Sequence, residues 1–443
     1  MATEPTERGL WHHADFLRLW AAQAVSAFGS RITRTALPII AVVTLHEPEA
    51  MIGLLAAMQL IPGVVLAMAA GGLVDRGRKR RILIAADLIR AALVASLPVA
   101  AALHALSITQ VIAVGAGVGA ASALFQITDV AYLPRLIGRR RLAEGNAKLE
   151  TTEAIAEITG PASAGVLIDA LGPPLAVVVN AASYAWSAIM LGRIRGGDEA
   201  RPDAPRLPTA EIDPAASVMR TGKDFRIGVR AVFGHPVVRP IVLTLMMWSV
   251  AGGCFIALYT PYCLRVIGLD EATFGAIIAM GGIGSLAGAM LARGFARRLG
   301  VGRTLLVVST LSLACTLFIP IAASGTSRAM TIGFLVAHQL LGDGFSVAFV
   351  VLAVTLRQTV LPRDVLGRAN AAVYVCTTGV LVVASVIAGG LASLIGIRAA
   401  VWAGLLVGLV APIFLWPLRR LRDMPTGDLG ASDPAMPRAE RDP

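Results

Sequence analysis

Twelve apolar runs, most of them about twenty residues long and separated by short turns, leave this 443-residue chain few ways to fold. They lie at 16–44, 50–73, 82–103, 107–131, 149–171, 174–192, 238–260, 272–292, 303–323, 330–356, 369–395 and 399–418. A helix rises about 1.5 Å per residue, so about 20 residues cross a hydrocarbon core of about 30 Å. The runs are continuous in Ala, Leu, Val and Ile, with none of the two-residue alternation of a membrane barrel. Their backbone groups must then be satisfied within each segment, as helices. Charged residues make up 15% of the chain, against about 25% in soluble domains. The predicted fold class is an all-α membrane protein with twelve transmembrane helices.

Those helices fall into two related halves. Leu133-Pro134-Arg135 is followed by Asn146-Ala147, and Leu361-Pro362-Arg363 by Asn370-Ala371. The prolines are offset by 228 residues and the asparagines by 224. The 224 offset persists from Ala164-Gly165-Val166-Leu167 to Ala388-Gly389-Gly390-Leu391 and from Gly172 to Gly396. Internal repetition at such a distance implies two pseudo-symmetric six-helix halves. The expected organisation is an amino-terminal segment 1–15, a first bundle 16–192, a linker 193–237, a second bundle 238–418 and a disordered tail 419–443. The linker carries prolines at 202, 205, 208 and 214, then Ala216 to Val232, whose Arg220, Lys223, Arg226 and Arg230 alternate with apolar residues. That segment reads as a short amphipathic helix on the membrane surface.

The net charge of +11 invites a nucleic-acid reading, but the placement of the charge excludes one. With the amino terminus inside, 32 of the 39 Lys and Arg fall on cytoplasmic segments. Arg265, Arg328 and Arg398 fall outside, and Arg18, Arg31, Arg34 and Arg90 lie within helices. This is the positive-inside distribution, and it predicts a multi-pass protein of the cell inner membrane with both termini cytoplasmic. The basic loops lack the interleaved aromatics of a nucleic-acid surface. Cys254, Cys263, Cys315 and Cys376 lie in or beside apolar helices without metal-ligand spacing, so neither disulfides nor a metal site is expected. The first apolar run is too long for a signal peptide and is expected to remain as the first helix.

The turn Gly72-Leu73-Val74-Asp75-Arg76-Gly77-Arg78-Lys79 resembles the cytoplasmic signature between the second and third helices of the major facilitator superfamily, and the two-by-six repeat agrees. Leu133 to Ala147, Gly160-Pro161 to Gly165, and Leu356-Arg357-Gln358 to Asn370 are similar to the macrolide-type and siderophore-type drug-efflux branch. Two departures stand out: Arg78 occupies a usual glycine position, and the fourth helix lacks an intramembrane Arg. The resemblance implies alternating access by rocking of the two halves. It also implies a gating signature of Gly72, Asp75, Arg76, Arg78, Lys79 and Arg368, with Asp75 capping an eleventh helix that starts near Arg368. Gly160, Pro161 and Gly165 would form an exporter-type motif on the fifth helix, where Pro kinks the backbone and small residues allow close packing.

Ionisable groups inside a membrane are costly and mark function by default. Arg31 and Arg34 lie in the first helix, Asp129 in the fourth, Glu153 and Glu157 in the fifth, and His338 and Asp343 in the tenth. In the family fold these helices line the central cavity. By helical rise Arg31 and Asp343 are level near the midplane. They are expected to face each other, with Asp343 or Glu157 exchanging a proton and His338 available for a relay. Asp87 and Arg90 read as an i, i+3 pair. Gln59, Gln126, Asn180, Tyr184 and Tyr374 are candidate polar wall residues. The glycine runs at 115–119 and 281–284 lack the strand-turn-helix setting of a nucleotide loop and read as packing surfaces.

The expected function is proton-coupled efflux of a medium-sized amphipathic compound such as a drug, macrolide or siderophore, by a monomer in the lipid bilayer. The expected partners are a small-molecule substrate and protons. No cofactor, metal or catalytic residue is expected. Uptake by the same fold, and a receptor or scaffold without transport, are the alternatives. An enzyme is disfavoured, because no nucleophile and base stand at recognisable spacing.

Overall fold

The computed structural model describes residues 9–69, 78–138, 141–195 and 214–421. α1 runs Ala14–Ile39 and continues as a π-helical turn, Ile40–Thr44. α2 is Glu49–Ala69, α3 Lys79–Ala102, α4 Ile108–Ile137, α5 Leu142–Leu171 and α6 Pro173–Gly192. The linker helix, α7, is Pro214–Gly234. The second half follows as α8 (Val238–Val266), α9 (Glu271–Leu299), α10 (Val301–Ala322), α11 (Arg328–Val360), α12 (Arg363–Ile395) and α13 (Ile397–Arg420). Eleven of these described helices are apolar and long enough to cross a membrane. α1 makes the twelfth span, set apart by Asp15, Arg18, Arg31 and Arg34.

The two halves are built alike. In the first, α1 packs on α5 and α6, α3 on α4 and α6, and α2 on α4. Each contact recurs in the second half seven helix labels later: α8 on α12 and α13, α10 on α11 and α13, α9 on α11. The repeat reaches single hydrogen bonds. Leu45 N donates to Ile40 O at 3.0 Å and Glu47 N to Ala41 O at 2.9 Å. At an offset of 222, Ile267 N donates to Tyr262 O at 3.0 Å and Leu269 N to Cys263 O at 3.0 Å. Between them His46 and Gly268 both hold positive φ, 54° and 75°. Both first helices of a half therefore end in a π-turn and a left-handed residue before the next helix begins.

The halves meet through α2 against α12 and α5 against α9. Two glycine pairs make these crossings close. A Cβ on Gly275 would lie 2.8 Å from Gly165 Cα, and one on Gly389 would lie 3.0 Å from Gly53 Cα. Gly53 and Gly275 are repeat equivalents, as are Gly165 and Gly389, so a single contact is used twice. Both crossings lie at the end of the bundle away from the linker, here termed the distal end.

The hydrophobic core follows the same division. One continuous cluster fills the distal end and draws on both halves, from Ile39, Ile52 and Ile168 to Phe274, Leu335 and Ala388. At the linker end each half keeps its own cluster, one around Phe16, Leu83 and Tyr132, the other around Leu305, Phe349 and Leu352. Apolar burial thus holds the halves together distally and not at the linker end.

Several helices outrun their apolar sequence. α5 begins at Leu142 rather than 149, α9 continues through Arg297 and Arg298 to Leu299, and α12 begins at Arg363 rather than near Arg368. Charged extensions remain helical once they clear the hydrocarbon, because water or side chains satisfy the polar flanks. Pro134 consequently lies in the last turn of α4, whereas Pro362 caps α12. The four-residue difference between the repeat offsets is about one helical turn.

Candidate functional site

A cavity of about 380 Å³ lies between the halves, beneath the distal closure. This is the size of a small-molecule site, for which about 300–1,000 Å³ is usual. Its first wall comes from α1, α2 and α5. Arg31, Arg34 and Pro38 share a face of α1 at i, i+3 and i+7, and Glu153, Glu157 and Pro161 share a face of α5 at i, i+4 and i+8. Arg31 Nη2 lies 2.9 Å from Glu153 Oε2 and 2.8 Å from Glu157 Oε2, and Arg34 pairs with Glu157 Oε1. Gly160 permits this geometry, since any Cβ there would collide with the Arg31 side chain. Along the α5 face, exposure falls from 51% at the Glu153 side chain to 39% at Glu157, and Pro161 is buried. The cavity therefore opens toward the linker end.

The second wall comes from α8, α9 and α11. α11 is interrupted by a π-helical turn, His338–Gly342, and resumes at Asp343. Such a turn inserts one residue into the helical register. Gln339 and Asp343, at i and i+4, both line the cavity. Gly281 of α9 leaves room for the Asp343 carboxylate, and Gly284 and Gly288 receive the α11 backbone at Leu340 and Gly344. Asp343 makes no ion pair among the described residues, and Glu157 of the other half lines the same cavity. Beside it, Tyr259 and Gln339 are 4% and 3% exposed; the Tyr259 hydroxyl has only the weakly bonding Cys263 thiol as a neighbour, and Gln339 Oε1 has no hydrogen-bond partner among the described residues. Phe255 stacks on Tyr259 at 4.3 Å, and Phe274 lies 5.8 Å from the same ring.

Arg34, Glu157, Pro161 and Asp343 therefore line the cavity directly, with Arg31 and Glu153 joined to it by ion pairs. Arg31 was expected to face Asp343 across the cavity; its ion-pair partners, Glu153 and Glu157, both lie on the neighbouring α5, within its own half. His338 stands behind the wall rather than in it. Its Nδ1 is 3.2 Å from Cys315 O, and its ring packs against Phe255 and Tyr259. Asp129 is also apart, accepting from Gln23 Nε2 at 2.6 Å. Gln23 precedes Arg31 by eight residues, about 12 Å along the helix toward the linker.

Of the expected wall residues, Gln59 lines the cavity. Asn180 is buried and donates to Thr33 Oγ1 at 2.6 Å, and Tyr184 is buried 3.0 Å from Ser30 Oγ. Gln126 and Tyr374 are exposed away from it. Asp87 and Arg90 form their i, i+3 pair inside the first half, where the guanidinium lies between the Phe125 and Tyr184 rings at 4.5 and 4.4 Å. Gly115 and Gly119 pack on Gln59 of α2.

Gly72, Asp75 and Arg76 lie outside the described residues. Arg78 is exposed before α3, Lys79 is buried, and Arg368 Nε lies 3.0 Å from Asp224 Oδ1 of the linker helix. Gly228 of that helix rests against the Arg368 carbonyl, so α7 is seated on the start of α12. Gly165 does not reach the cavity but forms the distal crossing.

Sequence reasoning missed the polar ties at the distal end. Arg265 of α8 reaches into the other half, to Glu49 Oε1 at 3.0 Å and to the carbonyls of Val42 and Glu47 at 3.0 and 2.8 Å. Asp270 caps α9, accepting from Thr273 N at 2.8 Å and Thr273 Oγ1 at 2.9 Å, and pairs with Arg328 at 2.5 Å. The backbone hydrogen bond from Thr273, helped by its hydroxyl, holds the Asp270 carboxyl below its ordinary pKa. The only signal for these ties was that Arg265 and Arg328 stand among three basic residues on the poorly basic side. Among the described residues no group of His, Cys, Asp and Glu could hold a metal ion.

The sequence profile of the Major Facilitator Superfamily matches residues 19–379. The uncharacterized MFS-type transporter y4rN of Sinorhizobium fredii is 28% identical over 240 residues, 53% of this chain and 54% of that protein. The multidrug efflux pump Tap of Mycolicibacterium fortuitum is 29% identical over 233 residues, 51% of this chain and 54% of that protein. The chain thus aligns with about half the length of the curated relatives it matches. Among solved structures, a bacterial homologue of the iron transporter ferroportin in its inward-facing state overlays with a TM-score of 0.68 at 15% identity, covering 92% of this chain and 98% of that one. The outward-facing state of such a homologue overlays at 0.57 with 17% identity, covering 91% and 99%. At these identities the likeness is one of fold.

Proposed function

The chain belongs to the Major Facilitator Superfamily, and from that premise we propose that it is a secondary active exporter, exchanging proton influx for extrusion of a medium-sized amphipathic molecule. The linker end is placed in the cytoplasm, following the positive-inside distribution. The structure then corresponds to the state that loads from the cell interior, with the distal glycine crossings and the Arg265 tie closed. Release requires these contacts to part while the linker end closes, the alternating access that a midplane site between two repeats permits. A cavity walled by both halves of one chain supports a monomeric working unit.

One observation carries the coupling assignment. Asp343 lines the cavity without a counter-charge, and Glu157 of the other half lines it too. An acid so placed can take up a proton from one side and give it to the other as the halves rock. Export, rather than uptake, is supported by the relation to the efflux pump Tap and by the Gly160-Pro161 to Gly165 motif on α5.

The test uses inverted membrane vesicles containing the protein, energised to an acidic lumen and challenged with macrolides, tetracyclines, siderophores and dyes. Luminal alkalinisation on adding one compound, absent in Asp343→Asn, is the expected result. A compound-driven signal that persists unchanged in Asp343→Asn removes this residue from the coupling step. Substrate movement with the proton, rather than against it, reassigns the protein to uptake.

A further inference from the structure

Extrusion of an amphipathic molecule leaves open what charge that molecule bears, and the cavity walls answer this. In the first wall two guanidiniums, Arg31 and Arg34, meet two carboxylates, Glu153 and Glu157, so that wall is balanced. In the second wall Asp343 is the charged group on the cavity and has no basic partner among the described residues. The cavity as a whole carries one carboxylate in excess.

The neighbouring polar atoms point the same way. Gln339 Oε1 is buried and unpartnered in the same wall, and the buried Tyr259 hydroxyl beside it has only the weakly bonding Cys263 thiol as a neighbour. Buried polar atoms of this kind are rare because an unmade hydrogen bond is costly, and at a cavity wall they call for a ligand. A carboxylate and an amide oxygen only accept hydrogen bonds, so the complementary group must donate them and be positively charged. Phe255, Tyr259 and Phe274 supply aromatic surface beside this cluster, which attracts a cation further. Ile52, Leu55 and Leu60 of α2 offer an apolar face opposite.

We propose that the cavity takes an organic cation bearing N–H donors, such as a protonated amine or an amino-substituted aromatic cation. Its charged head sits among Asp343, Gln339 and Tyr259, and its apolar body lies on the aromatic residues and α2. This rests on the cavity being the transport site. A proton and the cation then compete for Asp343, so the cation binds more weakly as pH falls.

The test is equilibrium binding to the full chain in nanodiscs, using ethidium as cation, chloramphenicol as neutral compound and fluorescein as anion. Ethidium should bind most tightly of the three and weaken by about tenfold or more in Asp343→Asn, as expected for loss of a charged hydrogen bond. Asp343→Glu should retain most of that affinity, and Gln339→Leu should lose part of it. Chloramphenicol, if bound, should keep its wild-type affinity in Asp343→Asn, which also reports that the variant is folded. Tighter binding of the anion or the neutral compound by the wild type overturns the proposal while leaving the exporter reading intact. So does ethidium binding that is equal in Asp343→Asn, Gln339→Leu and wild type. Failure of all three compounds to bind folded wild-type protein counts against both readings.

Discussion

The two walls of the cavity come from halves that share one plan of helix contacts, and yet they differ in chemistry. The α1–α5 wall is electrostatically closed: every carboxylate has a guanidinium within 3 Å. The α8–α11 wall is electrostatically open, with Asp343 and Gln339 Oε1 lacking partners among the described residues. Symmetry extends to the helix contacts, the π-turns and the glycine crossings. It stops at the cavity, where one half pairs its charges and the other leaves Asp343 without an ion pair among the described residues.

The largest expected effect comes from removing the one unpaired charge. Asp343→Asn should abolish the pH dependence of substrate affinity, a coupling of roughly 5- to 150-fold if it lies in the usual range for linked sites. Titrating affinity against pH in both proteins checks this, and an unchanged pH slope in the variant would erase the distinction between the walls. Asp343→Asn should also leave thermal stability the same or higher, because no ion pair is broken.

Next come the crossings, where symmetry predicts equal outcomes. Gly53→Val and Gly275→Val, at repeat-equivalent positions, each push a side chain into backbone of the other half and should oppose distal closure by about 1–3 kcal/mol. A cysteine introduced at Ile278 should become reactive to a membrane-impermeant maleimide from the distal side in both variants. Gly367→Val, where a Cβ meets nothing within 4 Å, should leave labelling unchanged. Labelling in one crossing variant only would show that the two contacts are not equivalent.

Breaking the balanced wall should cost less. Arg31→Gln leaves Glu153 and Glu157 facing Arg34 alone. Because the pair is only part-buried, a loss of about 1–2 kcal/mol is expected, between the values for exposed and buried ion pairs. Thermal unfolding of this variant against Asp343→Asn sharpens the contrast, since only the former should melt lower.

Smaller still is the pH effect at the distal loop. The Asp270 carboxyl has a depressed pKa, so its cap contributes stability above the ordinary aspartate value. That contribution is lost as pH falls through the depressed one. Melting temperature between pH 7 and pH 3 should therefore fall slightly less in Asp270→Ala than in the wild type. At the linker end, Asp224→Ala should cost at most about 1 kcal/mol, and added salt should reduce the difference, because Asp224 and Arg368 are largely exposed.

Much of this architecture was legible in the residues. Twelve apolar runs gave twelve spans, and the persistent 224 offset picked out Gly165 and Gly389, one member of each crossing. Their partners Gly53 and Gly275 were hidden because their 222 offset belongs to a different helix pair and no run of matching residues marks it. The intramembrane charges were visible because hydrocarbon makes them expensive, and Arg34, Glu157 and Asp343 do line the cavity. Their pairing was not visible. Depth along a helix is set by residue count, but direction depends on rotation and on which neighbour packs closest. Gly160 lets α5 approach Arg31, which drew that residue to its own half. The π-turn at His338–Gly342 changes the register of α11 by one residue, and it leaves no mark in composition or hydropathy. Gln339 and Tyr259 escaped notice for a different reason: each is ordinary in sequence, and only burial at the cavity wall distinguishes it.

In the proposed cycle Asp343, alone among the cavity charges, exchanges its proton for substrate. The most direct measurement is proton release into a weakly buffered solution on saturating the purified protein with the compound selected in the vesicle assay. Wild-type protein should release protons on binding, Arg31→Gln should do the same, and Asp343→Asn should bind without release. Release of equal size from Asp343→Asn, or none from the wild type across the pH range in which it transports, would contradict the account.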